Sequence, residues 1–151
     1  MKQFRFTLEA VLTLRKMEQE KALEAYAESV SRCLQLRTAV LSAHRRQADL
    51  ARLLDATREN LFSSAIQEAY LQSMEVARQQ AEQLQKNLDT AENEKESRRQ
   101  FFLSAKRRVD ILLNLKDKKK QTYLRETQRN EEKAVEDLVI ASHQKSPIMI
   151  G

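Results

Sequence analysis

The sequence predicts an all-α chain of two long helices that form an antiparallel coiled-coil hairpin. Three observations carry that prediction: an almost complete lack of backbone breakers, a sustained heptad stripe in the second half, and one candidate turn near the middle. The 151 residues include one Gly and one Pro, and both, Pro147 and Gly151, fall in the last five positions. Mixed and all-β domains of this size draw on Gly, Pro, Asn and Asp at many turns. Residues 1–146 are instead dominated by Ala, Leu, Glu, Gln, Lys and Arg, which favour helix. With 5 % aromatic residues the chain lacks the bulk for a thick core, so a thin seam between helices is expected.

Taken in order, the first arm covers about 4–61, the turn about 60–64 and the second arm about 64–144, a single coiled-coil domain over 1–146 followed by a short tail, 147–151. In the first arm, steps of three and four mark Leu23, Tyr26, Val30, Cys33, Arg37, Val40, His44, Gln47, Ala51, Leu54, Arg58 and Leu61; eight of the twelve are apolar, a weak stripe. An adjoining row, Ala27, Leu34, Leu41 and Ala48, would widen that face. The turn is placed at Asn60 to Ser64 because Ser64 and Gln67 match a capping box. A straight helix that dimerises is the alternative, since the second arm needs a partner either way.

The second arm carries the stronger signal. From Tyr70 the same steps reach Met74, Ala77, Ala81, Leu84, Leu88, Ala91, Lys95, Arg98, Phe102, Ala105, Val109 and Leu112. Eleven of these thirteen positions are apolar, where a 41 % apolar composition would give about five by chance, so a period of 3.5 is established. Lys95 and Arg98 interrupt it, and a polar residue in a seam narrows the acceptable registers. Glu82 with Lys86 and Glu94 with Arg98 have the spacing of helical ion pairs. A turn near 62 leaves the second arm about 20 residues longer, roughly 30 Å of helix with no partner in its own chain. Such a helix is a candidate for burying its face in another protein.

Several functions are disfavoured. No Gly-rich loop exists to cradle a phosphate. His44 and His143 are far apart in sequence and Cys33 is the only cysteine, so neither a metal site nor an internal disulfide is expected. Cys33 reads as a small seam residue and His44 as a polar break in the stripe. A two-helix coiled coil is too thin to converge catalytic groups in a water-excluding pocket, so no enzyme and no cofactor is expected. The longest apolar run, Leu138 to Ala141, is too short to span a bilayer, and charges stand where a signal peptide would be apolar, which points to the cytoplasm. Residues 98–120 carry nine basic side chains against Asp110 and Asp117. A hairpin would lay them beside Glu9, Glu18, Glu20, Glu24 and Glu28, leaving a solvated inter-arm role, an acidic protein partner and nonspecific nucleic-acid attraction as readings.

The N-terminal string Phe4-Arg-Phe6-Thr-Leu8-Glu-Ala-Val11-Leu12-Thr-Leu14-Arg15, continued by Met17-Glu18-Gln19-Glu20-Lys21-Ala22, resembles the opening of the bacterial flagellar export protein FliJ family. The string Arg129-Asn-Glu131-Glu132-Lys133-Ala-Val-Glu136-Asp137 resembles the element near that family's C-terminus. Phe101 and Phe102 stand where many members carry tryptophan, and the tail Ile148 to Ile150 departs from the pattern. The resemblance implies a soluble part of the type III export apparatus, peripheral to the inner membrane at the flagellar base, shaped like the central stalk of rotary ATPases and serving flagellum assembly and motility. It implies contact with the export ATPase hexamer, with the cytoplasmic domain of the export-gate membrane protein and with export chaperones. Residues expected at the ATPase are Phe4, Leu8, Arg15, Arg129, Glu131, Lys133 and Asp137; those expected at the gate are Phe62, Tyr70, Met74 and Ala77. A stalk of a virulence secretion system, an unrelated dimeric coiled coil and a basic nucleic-acid-binding rod stay as alternatives.

Overall fold

The computed structural model describes residues 3–59 and 63–145. Two helices, α1 (Glu9–Glu59) and α2 (Ser64–Lys145), pack against each other, and no strand occurs among the described residues. The expected all-α hairpin is the observed fold.

Local chemistry sets the helix ends. Residues 4–8 are not helical, so α1 starts later than the expected arm. The Phe6 carbonyl accepts from the Glu9 amide at 3.1 Å, and Glu9 places a carboxylate in the first turn, where the helix dipole favours it. At the other end Arg58 sits in the last turn. The cap of α2 is one residue earlier than the sequence suggested: the amide of Ile66 donates to the Ser63 carbonyl at 3.1 Å and to Ser63 Oγ at 3.4 Å. Ser63 is therefore the N-cap, its hydroxyl satisfying a donor the helix leaves unpaired. The third helical position is then Ile66 instead of a Glu or Gln, which removes the expected capping box. Residues 60–62 of the expected turn lie outside the described residues.

The chain divides into two compact units, one formed by 1–17 with 106–151 and the other by 18–105. In the second unit, every stripe residue from Tyr70 to Ala105 is buried or half-buried, Lys95 and Arg98 included. The same holds for Val109 and Leu112 in the first unit. On α1 the expected stripe is correct in part. Tyr26, Val30, Cys33, Val40, Gln47, Ala51 and Leu54 are buried or half-buried, whereas Leu23, Arg37, His44 and Arg58 are exposed and Ala22, Leu36, Ala43 and Thr57 face the seam in their place; Ser29 and Leu50 join Val30 and Ala51, and Leu61 lies outside the described residues. The row Ala27, Leu34, Leu41 and Ala48 is exposed. Alternating steps of four and three that start at Ala22 give the true phase; starting at Leu23 favoured bulk over register.

Small side chains dominate this seam. Ala22, Cys33, Ala77, Ala81, Ala91 and Ala105 are all buried, which lets the backbones approach closely. Ser29, also buried, donates its hydroxyl to the Tyr26 carbonyl at 2.6 Å. The rings of Tyr26 and Phe102 lie almost parallel with centroids 6.5 Å apart, while Phe101 points outward.

Polar groups tie the arms where the stripe is interrupted. Arg37 Nε donates to Glu92 Oε1 at 2.9 Å, and Lys95 Nζ lies 2.8 Å from Glu92 Oε2. Arg98 bridges Glu94, at 2.7 Å, and the Ala25 carbonyl on the opposite helix, at 3.1 Å. The expected Glu94–Arg98 pair is thus present, but Glu82 pairs with Arg78 at 3.2 Å, not with Lys86. Hydrogen bonds from Lys95 and then from Arg37 hold the Glu92 carboxyl below the ordinary carboxylate range. A depressed folded-state pKa stabilises the fold above the unfolded value of 4.5 and loses that contribution as the pH falls through the folded value. Melting by circular dichroism should therefore show stability declining below about pH 4.5, with a smaller decline in Glu92→Gln; an identical decline in the variant would show that this layer is inert.

Candidate functional site

The residues that the sequence marked for partners fall into two groups. Seven belong to the first unit. Its core is built from Phe6, Leu12 and Val109, with Phe4, Leu8, Leu112 and Leu115 packed around it. Leu12 is fully buried. The Phe4 and Tyr123 rings meet at 5.6 Å, tilted by 45°, and Lys116 Nζ pairs with Glu9 at 2.8 Å, which is one of the inter-arm contacts expected for the basic segment.

Phe4 and Leu8 are consequently spent on the hairpin's own packing and offer only partial surfaces outward. Arg15 is half-buried and engaged within the protein. Arg129, Glu131, Lys133 and Asp137 are fully presented: every residue from 131 to 144 is exposed, so α2 outlasts its partner segment as the sequence predicted. At 100° per residue, Arg129, Lys133 and Asp137 share one face and Glu131 stands roughly opposite. The structure thus keeps the C-terminal charges as a surface and withdraws the N-terminal apolar residues into the core.

Sequence reasoning missed the outward apolar face of α1 in this unit. Val11, Leu14 and Met17 are 39 %, 52 % and 52 % exposed, and with Ala10 they share one side of the helix opposite Leu12. The i, i+3, i+6 spacing of Val11, Leu14 and Met17 was legible in the N-terminal string, but it reads equally well as core.

In the second unit, Tyr70 and Met74 are half-buried and Ala77 is buried in the seam. A groove there is lined by Arg46, Leu50, Ala69, Val76, Ala77 and Gln80, among others. Val76, 52 % exposed, is the apolar contact the sequence did not single out. Phe62 lies outside the described residues. Cys33 is buried as expected; His44 is exposed on the flank, with Nδ1 3.3 Å from Gln47 Oε1. No group of three or more His, Cys, Asp or Glu able to hold a metal occurs among the described residues, and none of their helices is long and apolar enough to cross a membrane.

Two antiparallel helices joined along a thin alanine-rich seam define a helical-hairpin protein. Residues 4–147 match the family described as Flagellar FliJ protein, and the chain belongs to that family. It is a flagellar export-related protein of a non-catalytic family. Comparison with curated proteins and comparison with solved structures each returned no match.

Proposed function

We propose that this chain is a non-enzymatic stalk of the flagellar type III export apparatus, which engages the export ATPase ring through its paired ends and the export-gate protein through the region after its turn. One observation supports this reading most: the exposed helix 131–144 continues from a unit whose two segments are pinned by Phe6, Leu12 and Val109. A stiff helix rooted in a packed base can enter a ring and bias its subunits through contacts that differ between their states. Arg129, Lys133 and Asp137 would meet the ring along one face, with Glu131 on the other. Tyr70, Met74 and the adjoining Val76 would meet the gate protein, Ala77 setting the floor beneath them. Work at the ring and gate places the chain peripherally at the inner membrane, and the same surfaces would receive export chaperones.

Charge reversal tests the ring surface. Arg129→Glu combined with Lys133→Glu should reduce stimulation of the purified export ATPase severalfold while leaving the helical dichroism unchanged, because both side chains are exposed. Full stimulation by that variant would remove the assigned face from the contact.

A further inference from the structure

The solvent side of α2 in the first unit carries a line of positive charge that neither the hairpin nor the proposed ring and gate contacts use. Steps of four, three, four and seven set Arg107, Ile111, Asn114, Lys118 and Arg125 along one line, and Arg108 stands at its edge. Val109, Leu112, Lys116 and Tyr123, buried or half-buried, lie on the opposite side of the helix, so the line faces away from the N-terminal segment packed there. All six residues of the outward face are exposed, and its four cations form no ion pair with any described residue. Asp110 and Asp117 are the only acids between 107 and 125. They share a flank about a quarter of a turn round the helix, which leaves the line with one sign of charge.

Ile111 distinguishes the partner, being 66 % exposed among these cations. An aliphatic side chain there gains nothing from a phosphodiester backbone. At a bilayer surface it enters the boundary between headgroups and acyl chains while the surrounding charges meet the lipid phosphates. No aromatic side chain stands on the line to stack a base, since Tyr123 is turned toward Phe4. The back of a helix is convex and encloses no pocket for a protein side chain, and a line about 27 Å long suits a flat, fluid surface. We infer that this face of α2 docks on an anionic lipid surface, with Arg107, Arg108, Lys118 and Arg125 on headgroup phosphates and Ile111 seated between them. The helix lies along the bilayer and does not cross it. Arg129 and Lys133 lie C-terminal to the line, so the inference stands on charge and exposure here and does not depend on the ring contact.

Cosedimentation of the full chain with vesicles tests it. Vesicles of one third phosphatidylglycerol in phosphatidylcholine should bind the protein at low salt and release it as salt is raised, and pure phosphatidylcholine vesicles should not bind it. Replacing Arg107, Arg108, Lys118 and Arg125 together by Gln should weaken binding about 100-fold, because each charge near the surface contributes severalfold. Removing the same charge from exposed positions of the second unit, with Lys21→Gln, Arg32→Gln, Arg45→Gln and Lys86→Gln, should leave most of the affinity. Ile111→Ser should weaken binding about threefold. Every substituted side chain is exposed, and unchanged helical dichroism confirms that folding is intact. Anionic vesicles that bind no protein would overturn the proposal, as would equal losses in the two sets of charge variants. A 30-base-pair duplex bound as tightly as the anionic vesicles, with Ile111→Ser without effect on either, would overturn it in favour of nucleic-acid phosphate.

Discussion

Leu12→Ala is expected to lower stability by about 3 kcal/mol and to release the packing of residues 4–12 on 109–115. Leu12 is fully buried between the non-helical Phe6 and Val109 of α2, so truncation leaves a void that few neighbours can fill. In a two-helix seam each layer has only one opposite, and collapse around the void would require α1 and α2 to shift together. Urea unfolding followed by dichroism measures the loss, and amide exchange should locate it in 9–17 and 106–116. Leu14→Ala is the matched control: that side chain is half-exposed, and its removal should change stability by less than about 0.5 kcal/mol. Equal losses at the two positions would mean that the face of α1 has been assigned wrongly.

Ala91→Leu should cost about 2 kcal/mol for the opposite reason, because the added atoms have no space between closely spaced backbones. Ala91 is 4 % exposed and immediately precedes Glu92 of the Arg37–Glu92–Lys95 layer, so overpacking there also strains the inter-arm ion pairs. Ala48→Leu is the comparison, an identical change at an exposed position, expected to be near neutral because leucine is almost as good a helix former as alanine. Thermal melts of both variants separate the two phases possible for α1. If Ala48→Leu were the damaging change, the seam would run along the row that the structure exposes.

What the sequence disclosed depended on how unevenly the two arms are written. On α2, apolar residues recur at strict heptad steps, and their burial followed, including the two basic interruptions. Lys95 and Arg98 remain in the seam because each satisfies its charge there, with Glu92 for Lys95 and with Glu94 and the Ala25 carbonyl for Arg98. On α1 the seam uses Ala22 and Ala43, small residues that stand beside the bulkier Leu23 and His44. The half-occupied stripe could not show which of two adjacent residues faces inward.

The candidate sites were readable to a lesser degree. The string around Arg129 and Lys133 is polar and stands as exposed helix, so its side chains are presented to solvent. The N-terminal string is apolar, and no pattern distinguishes an apolar residue kept for a partner from one used at home. Phe4 and Leu8 were used at home, whereas Val11, Leu14 and Met17 were left outside. Only the position of Val109 across the pair decides between them, and that contact is invisible in either segment alone.

The central claim is that one chain folds back on itself. Spin labels at positions 34 and 93, both exposed within the second unit, test it in a Cys33→Ala background diluted with unlabelled chain so that only intramolecular coupling registers. Packed axes about 8–10 Å apart place the labels within about 25 Å of each other, which is the predicted distance. A straight helix would separate them by roughly 90 Å at 1.5 Å per residue, and the absence of dipolar coupling in the diluted sample would contradict the hairpin.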